Sequence, residues 1–192
     1  MMTAIRANAT SFSLAASRRR RVFIGSNTPY GILAFDWDPV SAELMHAGVA
    51  AKINNVDWIT LSAGLEYLYA ASEVDLFNGK PTGEVASFSV NVTDGKLQSL
   101  SAQNSASVST CHVAVDQTGR VLLSADYGGG SAASFLISAG QLSPAAWTER
   151  YTAHGPNADR QGALTPTSLR SRPTTASPTS TIWAATASTS TA

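Results

Sequence analysis

A thiol and an imidazole stand side by side at Cys111-His112, the residue types of a nucleophile and its base. Neighbours on an extended strand point to opposite faces, so the pair cannot form a dyad, and Cys111 reads as a small buried hydrophobe. As the single cysteine of the chain it also excludes an internal disulfide and any multi-thiolate metal site. His46, His112 and His154 are too scattered to argue for zinc, and no cofactor is expected. Gly128-Gly129-Gly130-Ser131 has the composition of a phosphate cradle, but no helical pattern follows it and the spacing of the phosphate-loop motifs is absent. A hairpin turn needing positive φ accounts for it better. Arg18 to Arg21 could meet phosphates, yet no aromatic residue is interleaved with them, and the run reads as part of a solvated arm.

Charge divides the chain into three parts. The 192 residues carry 13 basic and 13 acidic side chains. Residues 1–21 hold five Arg and no acid, and residues 162–192 hold two Arg and no acid. Val22 to Gln161 therefore carries 6 basic against 13 acidic groups and is net −7. No overall pull toward nucleic acid results, and no run approaches the roughly 18 apolar residues of a membrane span. Neither partner is expected, and a cytoplasmic setting is the default. The first segment has the Ala, Ser and Arg content of a transit peptide. A secretory signal, by contrast, places its charge before the apolar stretch, whereas Phe12 to Ala16 precedes the Arg run. Residues 1–21 are set apart as an extension that does not order.

The elements that must position any site are strands. From Val22 onward short β-rich runs alternate with turn residues, and almost nothing recurs at helical period. Gly31-Ile32-Leu33-Ala34-Phe35, Glu84-Val85-Ala86-Ser87-Phe88 and Ser131-Ala132-Ala133-Ser134-Phe135 are three copies of one segment, their phenylalanines 53 and 47 residues apart. A strand, a Gly turn and a strand precede the second and third copies, at Leu61 to Ala70 and at Val115 to Ser124. Units of about 50 residues with roughly four strands each predict β-propeller blades. The predicted fold is all-β, a propeller fragment of three blades over residues 22–161. Trp37, Trp58 and Trp147 are expected in its core.

Five segments in order carry a resemblance to a family. They are Val22-Phe23-Ile24-Gly25-Ser26, Trp58-Ile59 through Leu68-Tyr69-Ala70 to Glu73, Cys111 to Asp116, Tyr127-Gly128-Gly129-Gly130-Ser131, and His154-Gly155-Pro156-Asn157 with Arg160-Gln161. Together they resemble the lactonase propellers that include 6-phosphogluconolactonase and the carboxymuconate cyclases. Thr110 stands where that family often has Pro, and Asp126 where it has Asn. The resemblance implies metal-independent hydrolysis of a sugar lactone such as 6-phosphogluconolactone on a seven-bladed ring. Opening a lactone needs a polarised carbonyl and a group that delivers water. On the resembling segments His112 and Arg160 are the catalytic candidates, and Tyr127, Gln161 and Glu73 the substrate-binding ones. The competing readings are a hydrogen-bonded structural His112 and an Arg160 that anchors a loop carboxylate.

Residues 162–192 contain 21 Ser, Thr or Ala and three Pro, a low-complexity composition expected to lack order. The family continues instead with a His-x-His strand, Ser-Pro-Asp-x-Arg-Phe and Asp-Leu-Gly. Reading the third base of each codon with the first two of the next permits Ala, His, Pro, His across Ala163 to Thr167. It permits Pro-Asp-Asn-Arg-Phe across Arg172 to Ser177 and Asp-Leu-Gly across Thr181 to Ala184. The Gly is forced by the single Trp codon. A shift of reading frame just after Gln161 is expected, with a three-blade remainder unable to assemble a full catalytic constellation.

Overall fold

The computed structural model describes residues 20–91, 93–152, 166–172 and 182–187. Among them every regular element is a strand, and neighbouring strands are antiparallel. β1 (Arg20–Gly25), β2 (Ile32–Trp37) and β3 (Leu44–Ala51) form the first sheet. β4 (Val56–Leu61), β5 (Tyr67–Ser72), β6 (Glu84–Val90) and β7 (Leu97–Asn104) form the second. In the third, β8 (Thr110–Val115), β9 (Val121–Asp126) and β10 (Ser131–Ser138) lie in order, and the outer edge of β10 is shared by β11 (Gln141–Leu142) and β12 (Trp147–Arg150). β13 (Pro166–Arg172) pairs with β14 (Ile182–Ala187).

The repeat read from the sequence is a repeat of position. Phe35 lies opposite Val22, Phe88 opposite Leu68 and Phe135 opposite Leu122, always across the same pair of strands. The core consists of layers between sheets, as stacked blades require. Leu68, Ala70 and Phe88 meet Ile32 and Ile53 on one side of the second sheet. Tyr69, Ala71 and Val85 meet Val113, Leu122 and Phe135 on the other. Buried on both faces, β5 and β9 therefore read as near-continuous apolar and small residues rather than alternating ones.

Three expectations need correction. The first sheet has three strands rather than four, because its innermost position is not filled among the described residues. Trp58 and Trp147 are not core, being 46% and 50% exposed; the one lies on an innermost strand and the other on the outer edge of a terminal sheet. Within the tail, Pro166–Arg172 and Ile182–Ala187 are paired strands, and Leu169 is buried against Leu123 and Ala125. One well-placed leucine gives this low-complexity stretch an apolar anchor that its composition conceals.

A buried carboxylate joins the second and third sheets. Asp126, fully buried at the end of β9, accepts hydrogen bonds from the hydroxyls of Ser105, Thr110 and Ser131 and from the Ser107 N–H. Ser105 and Ser107 belong to the connection leaving β7, so one side chain fixes where the third blade begins. The Gly-rich turn after β9 packs on the same connection. A Cβ on Gly129 would collide with Ser107 Oγ, and one on Gly128 would fall 2.8 Å from Ser109 Oγ. Only Gly130 of the three has positive φ, so close approach, more than turn geometry, demands glycine here.

Asp126→Ala strands three hydroxyls and an N–H, and about 3–5 kcal/mol of stability should be lost in urea unfolding. Asp126→Asn keeps one acceptor oxygen, and the hydroxyls can rotate to receive its amide, so the loss should be near 1 kcal/mol. Burial pushes the Asp126 carboxyl up, opposed by its donors. A raised native pKa means stability held at low pH is lost as pH rises through that value, a dependence Asp126→Asn should abolish. A second expectation concerns Leu65, which adopts φ 61° in the turn before β5 while 55% exposed. Gly119 fills the equivalent place before β9 at φ 68°. Leu65→Gly should raise stability by about 0.5–1 kcal/mol, read as a Tm increase of a few degrees.

Candidate functional site

The first residues of β4 and β8 and the segments leaving β5 and β9 lie at one end of the stack, because each pair is antiparallel. Glu73 follows β5 directly, and its backbone N–H donates to the Asn55 carbonyl while its own carbonyl accepts from the Asn55 side-chain amide. Tyr127 follows β9, with its N–H on the Ser109 carbonyl at 2.8 Å and its side chain exposed. Ser109 also donates its N–H to the Val74 carbonyl and its hydroxyl to Asp75 Oδ1 at 3.1 Å. Glu73 and Tyr127 are thus brought to one rim through a single serine.

His112 lies deeper on β8 and is buried. Its ring stacks on Trp58 of β4, centroids 4.5 Å apart and tilted by 38°. The Leu169 N–H donates to His112 Nδ1 at 3.4 Å. Cys111 packs beside Leu123, Ala125 and Leu169, and its thiol contacts the carbonyls of Ala125 and Pro166. Burial, then the charges of Asp57, Asp126 and Glu73, push that thiol up to about 11. It remains protonated near neutrality and is no nucleophile, in keeping with its expected role.

The charge at this rim is carboxylate. Burial pushes Glu73 above the ordinary range, and repulsion from Asp57 and Asp75 pushes it the same way. Sequence reasoning missed Asp57, Asp75 and Trp58. The signal lay in the repeat, which puts Trp58 in β4 where His112 sits in β8. Arg160 and Gln161 lie outside the described residues, as does His154. His46 is on outer strand β3, its ring edge-on to Phe35 at 5.2 Å. Among the described residues no group of three potential ligands is disposed to hold a metal ion. Among the described residues no helix is long and apolar enough to cross a membrane.

Glu73→Gln removes one of three mutually repelling carboxylates. Since the native pKa is raised, its ionisation costs stability as pH rises through that value, so the variant should melt about 1–2 °C higher at pH 7. At about pH 3 and below, where Glu73 is protonated in folded and unfolded chains alike, the difference should vanish.

Comparison with known proteins agrees with the stacked sheets. Residues 21–177 match the family of lactonase seven-bladed β-propellers. A 6-phosphogluconolactonase of Bacillus subtilis is 27% identical over 128 residues, covering 66% of this chain and 35% of the relative. A crystal structure from Bacteroides fragilis, provisionally described as a 6-phosphogluconolactonase, superposes with a TM-score of 0.73 at 23% identity, over 82% of this chain and 43% of that one. The periplasmic gluconolactonase of Pseudomonas aeruginosa superposes with a TM-score of 0.62 at 22% identity, over 71% and 40% of the two chains. The chain thus spans about a third of the length of the curated relatives it matches. With the family matched from β1 into the segment beyond β13, this chain belongs to the lactonase seven-bladed β-propeller family.

Proposed function

We propose that these blades are part of a hydrolase that opens a sugar lactone, with 6-phosphogluconolactone as substrate. The observation that carries the reading is the rim where Glu73, its carboxyl pushed up by burial and by Asp57 and Asp75, and Tyr127 are brought together through Ser109, with His112 buried deeper on β8. The name of the Bacillus subtilis relative supports the substrate class. Glu73, once deprotonated, is more basic than an ordinary carboxylate and draws a proton from the attacking water. His112, whose Nδ1 accepts from the Leu169 N–H, polarises the lactone carbonyl. Tyr127 and Gln161 bind sugar hydroxyls. A phosphorylated lactone approaching Asp57, Glu73 and Asp75 needs a countercharge, and Arg160 supplies it while polarising the carbonyl.

The second reading is a non-enzymatic propeller fragment, a binding module or a decayed gene product. The burial of His112 between Trp58 and Leu169 favours it, since such a histidine serves packing equally well. Channel chemistry in a propeller draws groups from several blades around the axis, and incomplete positioning removes several orders of magnitude in rate. The 192-residue chain should therefore hydrolyse 6-phosphogluconolactone no faster than buffer. A chain read in the alternative frame after Gln161 and continued through further blades should be active. His112→Ala in that chain should lower kcat by about 100-fold; a change in Tm alone would assign the residue to packing. Robust lactonase activity from the 192 residues alone would overturn the requirement for the later blades.

A further inference from the structure

Tyr67 and Tyr69 lie two residues apart on β5 and so face the third sheet together. Tyr69 is 1% exposed and belongs to the core layer with Val113, Leu122 and Phe135. A buried tyrosine hydroxyl ordinarily finds a partner. Among the described residues none hydrogen-bonds this one, and no buried side-chain oxygen or nitrogen is both fully enclosed and unpaired. The Tyr69 hydroxyl therefore opens on the cleft that its residue helps to wall. Burial, and then Tyr67, push it up to about 12, so near neutrality it keeps its proton and can both donate and accept.

That cleft, of about 220 Å³, lies between the second and third sheets, at the turns that precede β5 and β9 and follow β10. It is at the end of the stack away from Glu73 and Tyr127, since β5 runs from Tyr67 to the rim over roughly 20 Å. Gly140 backs the Tyr67 ring, and a Cβ there would collide with it. Two hydroxyls of the wall are already engaged: Ser62 Oγ accepts from the Tyr67 N–H at 3.1 Å, and Thr118 Oγ1 donates to Asp116. The side chains of Glu66, Tyr67, Tyr69 and Gln117 make no hydrogen bond to any described residue. They are the groups left to meet a ligand.

Their chemistry fixes the class of ligand. The wall holds one carboxylate, Glu66, and no Lys or Arg, so a phosphate or carboxylate finds no countercharge in it. An ammonium has donors only and would leave the Gln117 amide and the tyrosine O–H groups unmatched. Hydroxyls donate and accept, as this set of side chains does. The space falls below the roughly 300–1,000 Å³ of drug-sized pockets and fits one small ring or short chain. We propose that this cleft binds a small uncharged polyol, with the Tyr69 hydroxyl as its buried contact and Glu66, Tyr67 and Gln117 around it. Because the wall comes from two sheets, an occupant ties the second blade to the third and stabilises their junction by mass action. The site is separate from the Glu73 rim, and its occupancy requires no lactone hydrolysis.

The full chain with carbon-13 in its tyrosine rings, titrated with glycerol and D-glucose, reads the site directly by NMR. One or both should shift the Tyr67 and Tyr69 signals saturably and leave Tyr127 in place, with a Kd on the order of millimolar for so few atoms. D-Glucosamine and D-glucuronate, the same ring bearing a positive or a negative charge, should bind more weakly. Tyr69→Phe should weaken binding tenfold or more while leaving Tm without polyol within about 1 °C, since the hydroxyl has no protein partner to lose. Gln117→Ala, on an exposed turn, should weaken binding severalfold with the fold intact. No saturable shift with either polyol, or equal binding by Tyr69→Phe, would overturn the proposal. So would a Tyr69→Phe chain that melts several degrees lower in the absence of polyol, which would give the hydroxyl a partner within the protein. Tighter binding of either charged sugar would assign the cleft to an ion and overturn it as well.

Discussion

A blade of this kind has two apolar faces, and each must be covered by another blade. The second sheet meets that requirement in full, between Ile32 and Ile53 on one side and Val113, Leu122 and Phe135 on the other. The local sequence follows from it. Strands that touch neighbours on both faces have no side on which to place charge, so Tyr-Leu-Tyr-Ala-Ala-Ser and Val-Leu-Leu-Ser-Ala-Asp carry only Asp126, with four donors around it. The third sheet meets the requirement in part. Its far face is touched by β13 through Leu169, and a cleft of about 420 Å³ remains, lined by Val121, Leu123, Ala132 and Trp147.

What the sequence disclosed was set by how far each signal extends along the chain. The blade repeat was legible because Phe35, Phe88 and Phe135 recur with their partner strands, a pattern spread over a hundred residues and insensitive to any one position. Glu73 and Tyr127 were legible as residues just beyond strand ends, where a rim forms. Trp58 was misread as core because a large aromatic residue defaults to burial; only its register against His112 reveals the axis side of an innermost strand. The carboxylates of Asp57 and Asp75 were invisible as a group, since what unites them with Glu73 is the fold and not spacing. Leu169 was lost in a Ser/Thr background although it makes the apolar contact that seats β13.

The rim and the interior treat negative charge differently. Asp126 is enclosed, yet four donors converge on it and hold a junction together. Glu73 is more open, and burial together with its like-charged neighbours pushes its carboxyl up. Cys111, between these groups, feels both fields and is kept as a thiol.

Thr110 and Asp126 depart from the family pattern separately in the sequence, but in the fold the Thr110 hydroxyl donates to Asp126 Oδ1 at 2.7 Å. Gly83 makes room for it, since a Cβ there would collide with Thr110 Oγ1. The three positions are therefore physically coupled. A descendant carrying Thr110→Pro alone would leave the carboxylate one donor short, and one gaining any side chain at position 83 would displace the threonine. The junction behaves as one constraint: the room at position 83 decides whether the threonine can donate, and the threonine decides how fully the carboxylate is paired.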